Sequence, residues 1–207
     1  MTAAMIPWLF ASYLLGAIPT SYLVARLFRG IDLRDHGSRN LGATNLYRVL
    51  GWRFAIPVAL FDAAKGFIPA ALFAPRASSA QLFGLVCGMM AVLGHAYSVF
   101  VRFKGGKGVA TAAGVMLALT PLALGASFAV WVVVVALTGY VSLGSIASAA
   151  VFPVAVQLLD PPDQPAILWL DVGVALGIIW LHRANIGRLL KGTENRFGRR
   201  AAPSGSS

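Results

Sequence analysis

Three short segments combine glycines with hydroxyl, amide and basic side chains, the groups that proteins use to bind oxyanions. The first, residues 37–48, reads GSRNLGATNLYR and holds two glycines, two asparagines and two arginines. The second, residues 104–111, reads KGGKGVAT, and the third, residues 182–194, reads HRANIGRLLKGTE. Residues 140–145 form a fourth and weaker segment of this kind. The chemistry that these segments share is the binding of phosphate-like groups.

Glycine-rich segments can hold an anion because their backbone N–H groups can approach it and point at one site. The run at residues 104–108 leads directly into an apolar helix, whose N-terminus also favours negative charge. Arginine adds bidentate geometry for phosphate. The GxxxxGK[ST] spacing of nucleotide-binding loops is absent, so nucleotide hydrolysis is not expected. Each glycine also fits an ordinary turn or a close-packing position beside a membrane helix.

The composition indicates that membrane helices must position these segments. The 207 residues are 58% hydrophobic and 12% charged, with a mean hydropathy of +0.76. Seventeen Lys and Arg against seven Asp and Glu give a net charge of +10, typical of an integral membrane protein with basic ends. The composition excludes a disordered chain, and the single cysteine, Cys87, excludes a disulfide scaffold. We expect Cys87 to be a small buried residue, and we expect no cleavable signal peptide.

Apolar stretches that can cross a membrane occur along the whole chain. The predicted spans are residues 5–27, 54–73, 80–101, 143–159 and 166–181. The stretch 109–140 is long for one helix and short for two. Pro121 lies near its middle and favours a break into two helices.

Positive charge predicts the orientation of these spans. Basic residues cluster after the first, third and last spans, so by the positive-inside rule those segments are cytoplasmic and the N-terminus is outside. Two helices within residues 109–140 then return the C-terminus to the cytoplasm. We predict an all-α integral membrane protein of about seven transmembrane helices, some short or partly inserted. Residues 1–200 are expected to form one domain and residues 201–207 a disordered tail.

Several ionisable residues lie within the predicted spans. Asp62 and Lys65 are spaced i, i+3 and can neutralise each other, so we interpret them as a structural pair that supports the site. His95 is expected to hydrogen-bond a neighbouring helix. The motifs contain no clustered carboxylates, so no metal ion is expected.

The three segments together resemble the bacterial acyl-phosphate:glycerol-3-phosphate acyltransferases, the PlsY family. The resemblance extends along essentially the whole chain in the order and spacing of motifs and spans. It includes DAAKG at residues 62–66 and the turn at residues 142–145. One departure is Arg39, where the family often has glycine. An arginine there should alter the flexibility of the loop or add a phosphate contact.

The resemblance implies transfer of an acyl group from acyl phosphate to the 1-hydroxyl of sn-glycerol 3-phosphate, giving lysophosphatidate and inorganic phosphate. This is the first acylation of phospholipid synthesis. It implies no cofactor, and the expected partners are acyl phosphate, sn-glycerol 3-phosphate and membrane lipid, with no nucleic acid and no obligatory protein partner. It further implies a multi-pass protein of the bacterial cytoplasmic (inner) membrane whose active site faces the cytoplasm.

The family pattern suggests roles for individual residues. Those expected to hold glycerol phosphate are Ser38, Arg48, Lys107, His182 and Asn185, while Lys104 can belong to either pocket. Those expected around the acyl phosphate and its leaving group are Asn40, Thr44, Asn45, Gly105, Gly106, Gly108, Ser142 and Ser145. Supporting roles are expected for Asp62, Lys65 and Glu194, the last by anchoring a basic side chain. The candidate catalytic residues are His182, Lys107 and Asn185.

Acyl phosphate is a mixed anhydride with a good leaving group, so we hypothesise direct attack by the glycerol 1-hydroxyl without a covalent acyl-enzyme. Positioning and electrostatic stabilisation would then carry most of the catalysis. The departing phosphate can accept the hydroxyl proton. His182 is the best protein alternative as base, although its place at a helix end also fits an ordinary interfacial histidine.

Two other classes of function stay open on the sequence. Basic glycine loops and apolar helices also suit a small anion or phosphate-ester transporter. Against this, the polar groups cluster on cytoplasmic segments, and the other face offers little beyond Arg76, Asp160 and Asp163. A lipid-handling scaffold without catalysis is the third class.

Overall fold

The computed structural model describes residues 3–78 and 81–197, and every regular element in these two ranges is helical. The α-helices are α1 (Ile6–Ala17), α2 (Thr20–Arg29), α3 (Ala43–Leu50), α4 (Trp52–Ile68), α5 (Gln81–Ala96), α6 (Val109–Leu119), α7 (Pro121–Thr138), α8 (Val141–Leu159), α9 (Pro165–Leu181) and α10 (Arg183–Leu190). A π-helical turn, Pro69–Phe73, and a 3-10 turn, Ala74–Arg76, continue α4. Shorter 3-10 turns are Ala3–Met5, Leu33–Asp35 and Val99–Val101.

Five helical stretches in the described ranges are long and apolar enough to cross a membrane. They are Ala3–Arg29, Trp52–Arg76, Gln81–Val101, Pro121–Thr138 and Val141–Leu159. The number becomes six if α9 and α10, bent by 54° against each other, form one broken span. With 11 residues, α6 is about 16 Å long, roughly half of a hydrocarbon core. The helical membrane architecture agrees with the sequence, whereas the number of spans and the side of each terminus stay predictions.

The break predicted within residues 109–140 is present. Helix α6 ends at Leu119, and Pro121 opens α7 at its first helical position, where the missing proline N–H has no helical partner to lose. The start of the third predicted span, residue 80, and the predicted tail, residues 201–207, lie outside the described residues.

Two boundaries differ from the sequence prediction. The first predicted span is interrupted between α1 and α2, because Pro19 cannot continue the backbone ladder of α1. Helix α8 begins at Val141, so Ser142 and Ser145 lie in its first two turns rather than in a turn before it.

Helices α4 and α6 touch through their backbones because each carries a glycine at the contact. A Cβ built on Gly66 would lie 1.9 Å from the carbonyl oxygen of Thr111, and one built on Gly114 would lie 1.8 Å from that of Ala63. Small residues permit this approach between membrane helices. Since α6 follows the turn at residues 104–108, the contact fixes that turn relative to the acid–base pair of α4.

A small hydrophobic cluster holds the first glycine-rich segment against the helices. Its buried members are Ala25, Leu33, Leu41, Leu46, Val58 and Val101. The outer surface of the bundle is also apolar, with Leu60, Trp169 and Leu158 exposed by 67%, 72% and 74%. An apolar outside around a polar interior is the arrangement expected in lipid.

Candidate active site

A cavity of about 410 Å³ opens between the loop before α3 and the helices α3 to α10, with His95 as the contribution of α5. Polar side chains line one part of its wall: Ser38, Asn40, Thr44, Asn45, Arg48, Lys107, Ser142, Ser145, His182, Asn185 and Glu194. Another part is apolar: Met116, Leu124, Phe128, Trp131, Phe152 and Ile178. The structure brings together all the predicted site residues except Lys65, Lys104, Gly105 and Gly106, which do not line the cavity.

Glu194 is the centre of the polar wall. Its Oε1 accepts hydrogen bonds from Ser142 Oγ at 3.0 Å and from Asn185 Nδ2 at 2.8 Å, and its Oε2 lies 2.6 Å from Arg188 Nε. Burial alone would raise the pKa of Glu194, but the hydrogen bonds from Asn185, Arg188 and Ser142 outweigh it and lower the pKa. An ionised Glu194 therefore anchors the basic side chain of Arg188 and orients Asn185.

Asn185 links Glu194 to Lys107. Its amide nitrogen donates to Glu194, and its Oδ1 accepts a hydrogen bond from Lys107 Nζ. Burial lowers the pKa of Lys107 to about 8, with Glu194 opposing that shift. Asn185 Oδ1 is the one protein acceptor of Lys107 in residues 3–78 and 81–197. An ammonium carries three hydrogens, so two remain for a ligand.

Arg48 reaches the same wall from α3. One of its terminal nitrogens donates to the carbonyl oxygen of Asn195 at 3.4 Å, while its buried Nε has no partner among the described residues. Burial lowers the pKa of Arg48, and Glu194 opposes the shift. A guanidinium stays charged in proteins, so the free Nε can donate a hydrogen bond to a bound anion.

His182 lies at the junction of α9 and α10 and is 3% exposed. Its Nδ1 is 2.8 Å from the carbonyl oxygen of Ile178, so we assign the hydrogen to Nδ1, which donates to Ile178. The neutral ring then presents the lone pair of Nε2. This tautomer can accept a hydrogen bond or a proton from a ligand hydroxyl.

Asn45 shapes the loop that precedes α3. Its Oδ1 accepts the Ser38 N–H at 2.8 Å, and its Nδ2 is within 3.3 Å of the carbonyl oxygens of Leu33, His36 and Asn40. Backbone groups therefore occupy the Asn45 amide, which the sequence had placed around the acyl phosphate. Asn45 therefore holds the loop in shape, whereas the side chains of the nearby Asn40 and Thr44 line the cavity with polar groups left for a ligand.

Arg39, the departure from the family pattern, adopts a left-handed backbone with φ 60°. This conformation favours glycine, the residue that the family often has there. The Arg39 side chain is exposed and does not line the cavity. The backbone has kept the glycine-like conformation despite the arginine.

The turn at residues 104–108 differs from its expected role. The N–H groups of Gly105 and Gly106 donate to the carbonyl oxygens of Ala96 and His95, each at 3.0 Å. Both groups thus cap the end of α5 and are not free to bind phosphate, and Lys104 is exposed. Of this turn, Lys107 and Gly108 line the cavity, and Gly108 has φ 74° at the N-cap of α6.

The Asp62–Lys65 pair that the spacing predicted is present inside the bundle. Lys65 Nζ lies 2.7 Å from Asp62 Oδ1, and the two residues are 1% and 2% exposed. Two further residues join the pair. His95 Nδ1 lies 3.2 Å from Lys65 Nζ, so the expected hydrogen bond of His95 to a neighbouring helix is present. Sequence reasoning missed Thr20, whose Oγ1 donates to Asp62 Oδ1 at 3.1 Å.

Sequence reasoning named neither Asp171 nor the individual residues of the apolar wall, although the acyl donor of the family calls for an apolar slot. Asp171 is 4% exposed, its Oδ2 has no partner among the described residues, and it lines a separate small space with Gln81 and Thr120. In the described part of the chain no three His, Cys, Asp or Glu side chains lie close enough to hold a metal ion. That no metal takes part stays a prediction.

Comparison with known sequences identifies the family. The sequence model of the family described as Glycerol-3-phosphate acyltransferase matches residues 6–192. The chain belongs to the glycerol-3-phosphate acyltransferase family. A relative of that name from Trichlorobacter lovleyi is 46% identical over 197 residues, covering 95% of this chain and 99% of the relative. One from Desulforudis audaxviator is 46% identical over 186 residues, covering 90% and 92%.

Solved structures of the same family share the fold. PlsY, an integral membrane glycerol 3-phosphate acyltransferase, was solved in a glycerol 3-phosphate form that matches this structure with a TM-score of 0.88 at 39% identity. The match covers 95% of this chain and 96% of that one. The lysophosphatidic acid form of PlsY gives a TM-score of 0.85 at 38% identity. The resemblance to the PlsY family is confirmed, and this protein is a multi-pass membrane acyltransferase of the glycerol-3-phosphate acyltransferase family.

Proposed function

We propose that the protein transfers a fatty acyl group from acyl phosphate to the 1-hydroxyl of sn-glycerol 3-phosphate, giving 1-acyl-sn-glycerol 3-phosphate and inorganic phosphate. The observation that carries this proposal is the cavity, in which a basic polar wall continues into an apolar one. Both substrates carry a phosphate, which suits the polar wall, and the acyl chain of the donor needs the apolar wall. One cavity can therefore bring the two reacting groups together.

Glycerol phosphate binds the basic part of the polar wall. Two hydrogens of Lys107 and the free Nε of Arg48 supply charge-assisted hydrogen bonds to its phosphate. Ser38 and Asn185 add neutral contacts. His182 Nε2 accepts a hydrogen bond from the 1-hydroxyl and so orients its oxygen toward the donor.

The acyl phosphate binds between the polar and apolar walls. Asn40, Thr44 and Ser145 supply neutral polar groups, and Gly108 lies at the N-terminus of α6, whose first N–H groups favour an anion. Its acyl chain lies along the apolar wall formed by α6, α7 and α8, where Phe128 is one of the lining residues.

The reaction is a direct transfer. The 1-hydroxyl oxygen attacks the acyl carbonyl carbon, the bond from that carbon to the phosphate oxygen breaks, and the phosphate leaves with the bonding electrons. The hydroxyl proton passes to the departing phosphate or to His182 Nε2. In a covalent route a serine nucleophile would donate to a histidine that activates it. Among the described residues, Ser142 instead donates to Glu194 and Ser145 to the carbonyl oxygen of Val141, which supports direct transfer.

The test is a donor-dependence assay on the purified protein, with acyl phosphate, acyl-CoA and acyl carrier protein compared without divalent metal. We expect phosphate release that requires both acyl phosphate and glycerol phosphate. Transfer from acyl-CoA alone would overturn the donor assignment. An acyl group trapped on Ser38, Ser142 or Ser145, found by mass spectrometry, would contradict direct transfer.

The remaining expectations are part of the same proposal. Residues 1–200 form one acyltransferase domain, to which the family match over residues 6–192 gives support. The protein lies in the bacterial inner membrane with its N-terminus outside and its cavity open to the cytoplasm, and it needs no cofactor, nucleic acid or protein partner. Labelling of single cysteines introduced near residues 107 and 160 tests this topology. The transporter alternative is not favoured, because the chain belongs to an acyltransferase family.

A further inference from the structure

A buried polar cluster forms part of the cavity boundary, where Asp62 and His95 line the cavity and Lys65 lies behind them. The proposed reaction assigns no step to this cluster. The ammonium of Lys65 is 2.7 Å from Asp62 Oδ1, 2.8 Å from the carbonyl oxygen of Ile18 and 3.2 Å from His95 Nδ1. Thr20 Oγ1 donates to the same oxygen of Asp62 at 3.1 Å. The cluster therefore joins α4, α5, the start of α2 and the break between α1 and α2.

The Lys65 ammonium has no hydrogen left for a ligand. It carries three hydrogens and has three protein acceptors. Lys65 is 1% exposed and does not line the cavity. The contact to Asp62 is enough to neutralise its charge. The contact of Lys65 to His95 therefore needs a separate role.

The His95 ring connects this cluster to the turn at residues 104–108. Because Lys65 donates to Nδ1, that nitrogen carries the lone pair and Nε2 carries the hydrogen. The Nε2 edge lies against Gly106, where a Cβ would come within 2.1 Å of Nε2 and 2.7 Å of the carbonyl oxygen of Leu41. The N–H of Gly106 donates to the carbonyl oxygen of His95 at 3.0 Å. The turn therefore rests on His95 through both ring and backbone.

We propose that Lys65 is a positioning residue that holds the His95 ring against Gly106 and thereby sets the place of Lys107 in the cavity. Lys107 follows Gly106 directly, and its ammonium donates to Asn185. The proposal rests on the proposed function in one respect, that Lys107 binds glycerol phosphate. Displacing a substrate-binding group by about 1 Å can cost roughly 100-fold in rate, so a rigid backing for this turn matters to the reaction.

The first test variant is His95→Asn in the full-length protein. The Asn oxygen can take the place of Nδ1 and keep the Lys65 hydrogen bond, but the ring edge against Gly106 is lost. We expect the KM for glycerol phosphate to rise roughly tenfold, while the KM for acyl phosphate changes less than about twofold. The second variant, Asp62→Asn with Lys65→Met, removes both charges and frees the ring, so the same split is expected. Combining the two variants should add little, because they act through one ring.

The matched control is Asp171→Asn. Asp171 is also a buried ionisable residue of a membrane helix, at 4% exposure, but it lines a separate space away from Lys107. Both KM values should stay at the wild-type level in this variant. If His95→Asn lowers only the melting temperature, or raises both KM values equally, the proposal is overturned.

Two measurements keep the test decisive. If the cluster variants do not fold, Gly106→Ala provides the test, because it changes no residue of the cluster but places a methyl group against the His95 ring. It must show the same KM split, and a wild-type KM there overturns the proposal. Thermal stabilisation by glycerol 3-phosphate, measured without acyl donor, separates this test from the donor assignment. A wild-type protein inactive with acyl phosphate would sink that assignment, whereas loss of the stabilisation in His95→Asn but not in Asp171→Asn supports the positioning role.

Discussion

Lys65 and Lys107 are both lysines drawn into the protein, but their ammonium groups are used differently. Lys65 donates all three of its hydrogens to protein acceptors, which include Asp62 and His95. Lys107 lines the cavity, and in the described residues its ammonium donates only to Asn185. Two of its three hydrogens therefore remain for a ligand. Burial alone therefore does not mark a binding lysine. Unused donors beside a cavity do.

The charge balance around the two lysines differs in the same direction. Asp62 is the close counter-charge of Lys65 inside the bundle. At the cavity, Arg48, Lys107 and Arg188 surround one carboxylate, Glu194. The region around Lys107 carries an excess of positive charge that substrate phosphate can neutralise. In the region around Lys65, the charges of Asp62 and Lys65 cancel each other. Charge balance and hydrogen bonding therefore distinguish the structural lysine, Lys65, from the proposed binding lysine, Lys107.

The largest effect on stability should follow from removing one partner of the Asp62–Lys65 ion pair. Lys65→Met leaves Asp62 buried at 2% exposure without its counter-charge, so we expect the free energy of unfolding to fall by about 3–5 kcal/mol. Adding Asp62→Asn should recover most of that loss, since no buried charge remains. Unfolding in a fixed detergent measures both variants. A loss below about 1 kcal/mol in Lys65→Met would show that the pair is not a support.

The region around Lys107 should respond in activity rather than in stability. Lys107→Met removes a charge-assisted contact to phosphate, so kcat/KM for glycerol phosphate should fall by roughly 10- to 100-fold, equivalent to about 1.5–3 kcal/mol. The free energy of unfolding should hardly change, because the partner left behind, Asn185, is neutral. Steady-state kinetics and the same unfolding assay give both numbers. An unaffected enzyme would remove Lys107 from the site and abolish the contrast with Lys65.

Much of the fold follows from local signals in the sequence. Apolar length predicted the helical spans, and Pro121 predicted the break between α6 and α7, because proline acts through its own missing N–H. The Asp62–Lys65 contact was predictable from its i, i+3 spacing on one helix. The interruption of the first span was harder to predict, because the apolar composition continues across Pro19 from α1 into α2.

Contacts formed by the folded loops explain what the sequence could not predict at the site. Gly105 and Gly106 have the composition of an anion-binding loop, yet the return of the chain to α5 consumes their N–H groups. The Asn45 amide has the chemistry of a ligand group, but the fold of its own loop occupies it. Spacing shows which donors exist. Only the packed structure shows which donors are left over.

A pH titration should sharpen the comparison further. Burial lowers the pKa of Lys107 from 10.5 to about 8, so the ammonium loses its charge as the pH rises through that value. We expect kcat/KM for glycerol phosphate to fall about tenfold per pH unit above that point, because the neutral amine no longer attracts phosphate. Lys107→Arg should abolish this fall, since a guanidinium stays charged.

Glu194→Gln provides the second arm of the pH experiment. Glu194 opposes the shift of the Lys107 pKa, so removing its charge should move the fall in kcat/KM to lower pH. A profile that is flat between pH about 7 and 9.5 in the wild-type enzyme would mean that the protonated Lys107 does not bind phosphate. A fall that persists unchanged in Lys107→Arg would assign the titration to another group.

The smallest effect is expected at Lys104, three residues before Lys107 in the same turn. Lys104 is exposed and does not line the cavity, so Lys104→Ala should lower kcat/KM by less than about twofold. Raising the salt concentration should erase even that difference, because exposed charges act only through a screened field. A loss in Lys104→Ala as large as that expected in Lys107→Met, and resistant to salt, would mean that the turn rearranges when substrate binds. Unused hydrogen-bond donors at the cavity would then not identify the binding lysine.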